Sequence, residues 1–318
     1  MSILSGQNVL VTGGTGLVGG HVTEKLLALG ANVFVLDIVL KPKSYFETQK
    51  LTGKTTLLIQ DVRDLKKLKE TVVNNNISYI FHLAAQALVP LAYQDPLLTL
   101  DVNIMGTVNV LEVARENSGV KGVVVASSDK AYGKDCKDAE ETQKLAGDHP
   151  YDVSKSAADL ICTAYFNTYG VPVTISRFAN IFGPGDLNFD RIVPGAMEAL
   201  ILNKTLEIRS DGKFVRDYLY VKDVAEGYVL LAEKIDQTKG QAFNFSSGNN
   251  LNVIEIVEKV AEALGQTSNY KILNLQKNEI MFQSLNFQKA KKVLGWQARF
   301  TFKQGIEETY NWYKKYLN

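Results

Sequence analysis

The feature that most constrains the fold is a glycine-rich turn between a short apolar strand and a helix. The turn reads TGGTGLVG over residues 12–19 and contains Gly13, Gly16 and Gly19. The first glycine permits a tight turn, the second lets the backbone approach a pyrophosphate, and the third lets the helix pack on the strand. Asp37 ends the next strand, where a carboxylate accepts ribose hydroxyls and repels a 2′-phosphate. The pattern predicts a Rossmann unit that binds NAD, and Lys41 and Lys43 nearby leave some room for NADP.

Apolar strands alternate with helices as far as residue 180, after which the elements become shorter. The predicted strands are Asn8–Thr12, Asn32–Leu36, Thr55–Ile59, Tyr79–Leu83, Gly122–Ala126 and Val173–Ser176. The predicted helices between them are Leu17–Leu29, Leu65–Val73, Leu97–Asn117 and Tyr151–Tyr169. This rhythm predicts an α/β fold, a doubly wound parallel sheet with helices on both faces. We expect a Rossmann domain over residues 1–180 and a smaller α/β substrate lobe over 181–318.

Two parts of this division stay open. Residues 218–224 and 243–245 could return to the main sheet instead of staying in the substrate lobe. The polar segment 132–148 is long for a loop, which suggests a flap over the active site.

Composition excludes several functional classes. The chain has 318 residues and a net charge of +1, which favours neither nucleic acid nor an anionic membrane as a partner. Its start lacks the pattern of a signal peptide, and we expect no apolar run near the ~20 residues that span a bilayer. Cys136 and Cys162 have neither metal nor redox spacing. We therefore expect reduced thiols, no metal site and a cytoplasmic protein.

A tyrosine and a lysine carry the predicted chemistry. Tyr151 and Lys155 are four residues apart, so they share one face of a helix. A phenol with a pKa of ~10 is a poor base at neutral pH, but a nearby ammonium and the positive nicotinamide ring favour the phenolate. The tyrosine can then take a hydroxyl proton while hydride leaves the same carbon. Ser128 follows the fifth strand, at the sheet edge that binds ligands, so we expect the three residues to meet beside the nicotinamide.

These residues together resemble the extended short-chain dehydrogenase/reductase family, which contains NAD-dependent nucleotide-sugar epimerases, dehydratases and decarboxylases. The similarity covers nearly the whole chain. Besides the glycine turn, it rests on Asp37, Asp61-Val62, Leu83-Ala84-Ala85, Asn103, Ser128, Tyr151, Lys155, Asn180, Arg191 and Val215-Arg216-Asp217-Tyr218. The resemblance implies an enzyme that binds NAD and a nucleotide-sugar.

The resemblance also implies roles for individual residues. The implied cofactor-binding residues are Gly13, Thr15, Gly16, Leu17, Val18, Gly19, Asp37, Asp61, Val62, Leu83, Ala84, Ala85, Asn103, Tyr151 and Lys155. The implied substrate-binding residues are Gln86, Asn180, Arg191 and Arg216. Asp61 and Val62 would hold adenine, and arginine suits the pyrophosphate because its planar fork pairs with phosphate oxygens. Relatives form homodimers through the helices at 97–117 and 151–169, although the sequence equally allows burial of these helices within one chain.

The residues after Ser128 indicate the reaction. A 4-epimerase needs only hydride taken from C4 and returned on the other face. A 4,6-dehydratase also needs a base for the C5 proton and an acid for the departing C6 hydroxyl, and two adjacent ionisable side chains, Asp129 and Lys130, suit that elimination. This pair resembles the CDP-glucose 4,6-dehydratase branch, as do residues 148–155, 185–194 and 289–296. The resemblance implies that Asp129 is the acid at O6 and that Lys130 is the C5 base or its organiser.

We therefore expect a dehydratase that converts CDP-glucose to CDP-4-dehydro-6-deoxyglucose. The expected catalytic residues are Ser128, Asp129, Lys130, Tyr151 and Lys155. One departure from that branch is the sequence DYLYV at 217–221 in place of a Pro-Trp-containing stretch, which leaves the base and the sugar open. One alternative is a UDP-hexose 4-epimerase in which Asp129 and Lys130 form an ion pair. A second alternative is a non-catalytic NAD-binding protein, against which the intact serine, tyrosine and lysine argue.

Overall fold

The computed structural model describes residues 2–134, 136–275 and 280–318. The strands in these ranges are β1 (Asn8–Thr12), β2 (Asn32–Asp37), β3 (Thr56–Ile59), β4 (Tyr79–His82), β5 (Gly122–Ala126), β6 (Cys136–Ala139), β7 (Val173–Phe178), β8 (Asn180–Phe182), β9 (Leu206–Ile208), β10 (Val215–Tyr220), β11 (Ala242–Phe245), β12 (Asn250–Asn252), β13 (Tyr270–Ile272) and β14 (Phe282–Leu285). The α-helices are α1 (Leu17–Ala28), α2 (Tyr45–Thr48), α3 (Leu65–Asn74), α4 (Val89–Gln94), α5 (Pro96–Leu100), α6 (Gly106–Glu116), α7 (Pro150–Tyr169), α8 (Ile192–Ile201), α9 (Val221–Glu233), α10 (Ile235–Thr238), α11 (Val253–Ala263) and α12 (Phe302–Leu317). Short 3₁₀ turns cover Leu51–Lys54 and Asp129–Tyr132, and π turns cover Asp101–Met105 and Ala290–Leu294.

The larger sheet has seven parallel strands in the order β11-β7-β5-β4-β1-β2-β3. Helices α1 and α9 pack on one face, and α3, α6 and α7 pack on the other. Strands covered on both faces need apolar side chains throughout, which is why β5 reads GVVVA and is almost entirely buried. The predicted doubly wound α/β sheet is confirmed.

The division predicted at residue 180 does not separate the two sheets, because each half of the chain contributes a strand to the sheet of the other half. The strands of the second sheet run in the order β12-β10-β14-β6, and β8 pairs with β10. Strand β6 comes from the first half of the chain, whereas β11 and α9 come from the second half and complete the larger sheet. Residues 243–245 therefore lie in the main sheet, and residues 215–220 stay in the second one.

The segment that we predicted as a flap, 132–148, is partly held in place. Strand β6 pairs with β14, and the side chains of Tyr132 and Cys136 are buried. The Tyr132 hydroxyl donates to Asn244 Oδ1 over 2.8 Å, which ties the segment to β11. Residue 135 lies outside the described ranges. The sequence did not reveal strand β6 because its partner, β14, lies almost 150 residues away.

The helix predicted over 97–117 runs from Pro96 to Glu116 and contains the π turn Asp101–Met105. By length and composition, this stretch is apolar enough to cross a membrane, contrary to our expectation from sequence. The expectation was wrong because it required an unbroken apolar run, whereas mean hydropathy over the stretch tolerates Asp101 and Asn103. Half of the stretch is buried inside the protein, where it packs against α3 and α7, and buried core helices meet the same criterion.

Candidate active site

The glycine turn after β1 has no space for side chains at Gly13 and Gly19, and a Cβ on Gly14 would lie 2.6 Å from Cγ1 of the buried Val35. Gly13 has a φ of +69°, and a Cβ there would lie 2.7 Å from the backbone nitrogen of Ala84. A Cβ on Gly19 would lie 2.2 Å from the carbonyl oxygen of Gly13. At Gly16 the nearest atom would be 3.3 Å away. The turn is therefore pressed between α1 and the segment after β4, as a dinucleotide cradle requires.

The N-terminus of α1 is open to an anion. Gly16 is its N-cap residue, no side chain of the described residues caps it, and its first turn holds no acid. The first backbone N–H groups of a helix have no partner within the helix and carry a partial positive charge. Leu17, Val18 and Gly19 begin this helix. An uncapped helix end beside a glycine cradle fits the pyrophosphate of NAD.

Asp37 lies at the end of β2, where the sequence placed the ribose contact. Its Oδ2 accepts hydrogen bonds from the backbone nitrogen of Thr15 at 3.0 Å and from Thr15 Oγ1 at 2.6 Å. Its Oδ1 accepts one from the backbone nitrogen of Ile38 at 2.8 Å. Thr15 thus fixes the carboxylate against the glycine turn. A carboxylate has about four acceptor positions, so capacity remains for a ribose hydroxyl.

The region expected to hold adenine is organised by two residues that the sequence reasoning missed. Arg63 pairs with the Asp61 carboxylate, with its Nη2 2.6 Å from Oδ2, and this pairing lowers the pKa of Asp61. Asn109 Nδ2 donates to the carbonyl oxygens of Val62 and Arg63 at 3.0 and 2.9 Å. The sequence feature that could have indicated Asn109 is an amide residue among the buried, mostly apolar positions of α6.

Asn103 joins the segment after β4 to α7. Its Oδ1 accepts from the backbone nitrogen of Gln86 at 2.8 Å, and its Nδ2 donates to the Gln86 carbonyl at 3.1 Å and to Ser154 Oγ at 2.8 Å. Ala84 is held by a 3.3 Å bond from its backbone nitrogen to Thr12 Oγ1. The contacts of Asn103 set the position of Leu83, Ala84 and Ala85 relative to α7. They bear on the chemical site because Ser154 is the neighbour of Lys155 on that helix.

The side chain of Gln86 is hydrogen-bonded within the protein, and its contact with a substrate stays a prediction. Its Nε2 donates to Thr99 Oγ1 at 2.8 Å and to the carbonyl of Leu88 at 3.1 Å, and its Oε1 accepts from the backbone nitrogen of Leu88 at 2.6 Å. These bonds tie the amide to its own loop and to α5, and its Oε1 keeps one acceptor position for a further hydrogen bond.

The predicted chemical centre assembles where β5 ends. Ser128 caps the 3₁₀ turn by accepting from the backbone nitrogen of Lys130 at 3.2 Å, and its hydroxyl donates to Asp129 Oδ1 at 2.9 Å. The hydroxyl of Tyr151 hydrogen-bonds to Ser128. Tyr151, Ser128 and Asp129 therefore form one connected chain of hydrogen bonds.

The electrostatics of Tyr151 differ from the sequence expectation. Burial, and then the charge of Asp129, raise the pKa of this phenol. Lys155 Nζ donates to the carbonyl of Ala126 at 2.8 Å, and burial lowers its pKa to about 8. Lysine was expected to favour the phenolate, but in the protein alone the phenol stays protonated, because burial disfavours both charged forms.

Asp129 and Lys130 lie side by side but have separate partners. Asp129 is 5% exposed and bonds to Ser128, whereas Lys130 Nζ donates to Gln283 Oε1 in the second sheet. Burial lowers the pKa of Lys130, against the opposing charge of Asp129. The epimerase alternative assumed an ion pair between Asp129 and Lys130. In the described part of the chain, the two side chains form no such pair.

The other three predicted substrate residues lie in or beside the second sheet. Asn180 begins β8, beside Tyr218 of β10. Arg191 pairs with Asp186 and donates to the carbonyl of Ile181 at 2.7 Å. Arg216 Nη1 donates to the carbonyl of Val215 at 2.8 Å. Their contact with a substrate stays a prediction.

Comparison with known proteins leads to the same class of protein as the fold and site. Residues 9–246 match the model of the NAD dependent epimerase/dehydratase family. The chain belongs to this family, whose members are enzymes that act on nucleotide-sugars. The predicted family resemblance and the predicted use of NAD are both confirmed by this membership.

Individual relatives carry out two different reactions. A CDP-glucose 4,6-dehydratase of Salmonella typhimurium is 30% identical over 335 residues, covering 98% of this chain and 92% of the relative. A dTDP-glucose 4,6-dehydratase of Streptomyces venezuelae, solved with NAD bound, has a TM-score of 0.88 at 27% identity and 97% coverage of both chains. A UDP-glucose 4-epimerase of Thermotoga maritima, solved with UDP-glucose, has a TM-score of 0.89 at 28% identity, covering 98% of this chain and 100% of that one. The similarity alone does not separate the two reactions.

Two glycines of the turn should respond differently to the same added methyl group. Gly19→Ala should lower the free energy of unfolding by about 1–3 kcal/mol, because its Cβ would overlap the Gly13 carbonyl. Gly16→Ala should cost less stability, because its nearest contact is 3.3 Å, but it should weaken NAD binding by blocking approach to the backbone. Thermal denaturation and NAD titration separate the two effects. Equal losses of stability would contradict this account.

Proposed function

We propose that the protein is an NAD-dependent nucleotide-sugar 4,6-dehydratase that converts CDP-glucose to CDP-4-dehydro-6-deoxyglucose. The observation that carries the proposal is the placement of Asp129 and Lys130. The Asp129 side chain bonds to Ser128, the partner of Tyr151, and the Lys130 side chain bonds to Gln283, so the two do not neutralise each other as an ion pair. A 4-epimerase has no task for this second pair of ionisable groups.

The first half of the reaction belongs to Tyr151 and Lys155. NAD, held by the glycine turn and Asp37, would supply the hydride chemistry at C4 and C6, and its positive ring would oppose the effect of burial on Tyr151. Tyr151 is the base for the C4 hydroxyl. Its bond to Ser128, and the Ser128 bond to Asp129, connect the phenol to the carboxylate. Through this connection the phenol proton can pass by way of Ser128 to Asp129. The transfer leaves a phenolate at Tyr151 and a protonated Asp129, which is the acid that the elimination needs.

The elimination of water belongs to Asp129 and Lys130. A ketone at C4 acidifies the C5 proton, and a neutral amine can remove it. Burial favours the neutral amine because it lowers the pKa of Lys130. Asp129 then protonates the C6 oxygen as it leaves as water. We assign Lys130 as the base, which returns the proton to C5 when hydride reaches C6, and Asp129 as the acid.

The substrate assignment rests on similarity, and a mass-spectrometric screen tests it. The protein is incubated with CDP-, UDP-, GDP- and dTDP-hexoses, and each product is examined for loss of one water molecule. We expect CDP-glucose to lose water with no net oxidation, because the cofactor is recycled. Dehydration of another nucleotide-hexose in its place would change the substrate and keep the reaction. Bound NAD without turnover of any of them would leave a non-catalytic NAD-binding protein.

A second candidate is a nucleotide-sugar 4-epimerase of the UDP-hexose type. Two observations favour it: the similarity to the Thermotoga maritima 4-epimerase and the DYLYV sequence that runs from β10 into α9. For this candidate, the screen would give an isomer of unchanged mass. The same screen therefore decides between the two reactions.

We also propose that the protein is a cytoplasmic homodimer. Several exposed apolar side chains lie on the two neighbouring helices of the predicted dimer face. Leu97 is 77% exposed and Leu160 is 59% exposed, and Met105 and Val153 are also exposed. A second copy of this face would cover them as a four-helix bundle.

Light scattering should give twice the chain mass, and the double variant Leu97→Glu, Leu160→Glu should give a monomer that still binds NAD. A monomeric wild-type protein would contradict the proposal.

A further inference from the structure

Lys130 is held by a residue of the other sheet. Gln283 lies in β14, between β10 and β6, opposite Arg216 on one side and Cys136 on the other. It is 1% exposed, and its Oε1 accepts a hydrogen bond from Lys130 Nζ. Strand β14 is far from the glycine turn in sequence, and nothing in the local sequence around Gln283 suggests a part in the chemistry.

A primary amide suits this position because it can bond to an amine in both charge states. Its oxygen accepts an N–H of the ammonium and equally an N–H of the neutral amine, whose lone pair then stays available for the C5 proton. A carboxylate would accept the same bond, but its charge would favour the ammonium. The amide adds no charge to the site.

The charged and titratable groups that face Lys130 come from four elements. Asp129 lies on its own turn, Arg216 on β10, Asp152 on α7 and Cys136 on β6. The two aspartates favour the ammonium, whereas burial and Arg216 favour the neutral amine. Because these effects oppose one another, one added charge beside Lys130 should shift the pKa of its amine measurably.

We propose that Gln283 is a positioning residue that holds the Lys130 amine in its reactive place through protonation and deprotonation without adding charge. This inference rests on the proposed dehydratase activity, because it gives Lys130 the role of C5 base. Gln283 does not itself take a proton from the sugar.

Two variants test the inference through the pH dependence of kcat. A base acts when neutral, so kcat rises as pH rises through the pKa of Lys130. Gln283→Glu places an opposite charge beside the lysine, so this rise should move up by about one pH unit or more. Gln283→Met keeps the volume without the amide, and should lower kcat roughly 10- to 100-fold, leave KM within about twofold, and not move the rise upward.

The isotope effect of a substrate deuterated at C5 adds a readout that loss of stability would not change. It should increase in Gln283→Met, because C5 deprotonation becomes slower, whereas the isotope effect of deuterium at C4 should not. Gln288→Glu is the matched control, because it adds the same charge at an exposed position of the same segment and should leave the profile unchanged. In a Lys130→Met background, Gln283→Met should have almost no further effect.

The outcomes distinguish this inference from the proposed function. An unchanged pH profile in Gln283→Glu, or equal losses from Gln283→Met with and without Lys130, would overturn the role of Gln283 while dehydration by the wild-type protein stands. Absence of dehydration in the wild-type protein would overturn the proposed function itself.

Discussion

Tyr151→Phe is expected to lower kcat by about 10²- to 10⁴-fold, the usual contribution of a general acid–base group. The substitution keeps the aromatic ring and removes only the hydroxyl, which bonds to Ser128. KM should change little, because the proton is transferred only in the chemical step. Steady-state kinetics on the nucleotide-sugar found in the screen give both constants.

The control for this prediction lies on the same helix. Tyr169→Phe removes a hydroxyl from an exposed tyrosine at the end of α7, far along the helix from Ser128. Its kcat should equal that of the wild-type protein. A Tyr151→Phe variant that keeps more than about a tenth of the wild-type kcat would mean that another group removes the C4 hydroxyl proton.

Asp129→Asn and Lys130→Met should each lower dehydration by about 10²-fold or more. Asparagine cannot give a proton to the leaving C6 oxygen, and methionine cannot take the C5 proton, although both replacements keep the side-chain volume. The loss should appear in kcat when water loss is followed by mass spectrometry. Lys134→Met, at a largely exposed lysine close by in sequence, should behave like the wild-type protein.

The same two variants separate the competing reactions. A 4-epimerase would keep most of its activity in both, because Asp129 and Lys130 would have no part in moving a hydride to and from C4. Retained turnover in both variants, with Tyr151→Phe inactive, would therefore favour the epimerase.

The half of the fold that carries the cofactor site could be predicted from sequence because its signals are local. The glycine turn, the strand ending at Asp37 and the four-residue spacing of Tyr151 and Lys155 lie within single units of structure. Parallel strands alternating with helices also limit how the chain can be arranged. The chain order of these elements was enough to predict that Ser128 and Tyr151 lie close together.

The remaining features depend on contacts between distant segments. The pairing of β6 with β14, and with it the bond between Lys130 and Gln283, joins positions about 150 residues apart. No periodicity in the sequence marks such a pairing. Burial is likewise a property of the whole fold, which is why the raised pKa of Tyr151 was not foreseen.

The central claim is that hydride leaves C4 of the sugar and returns to C6. The most direct measurement follows deuterium placed at C4 of CDP-glucose, with the product analysed by NMR and mass spectrometry. The account predicts a product that has lost water and carries the deuterium in its C6 methyl group. Deuterium that remains at C4, in a product of unchanged elemental composition, would contradict it.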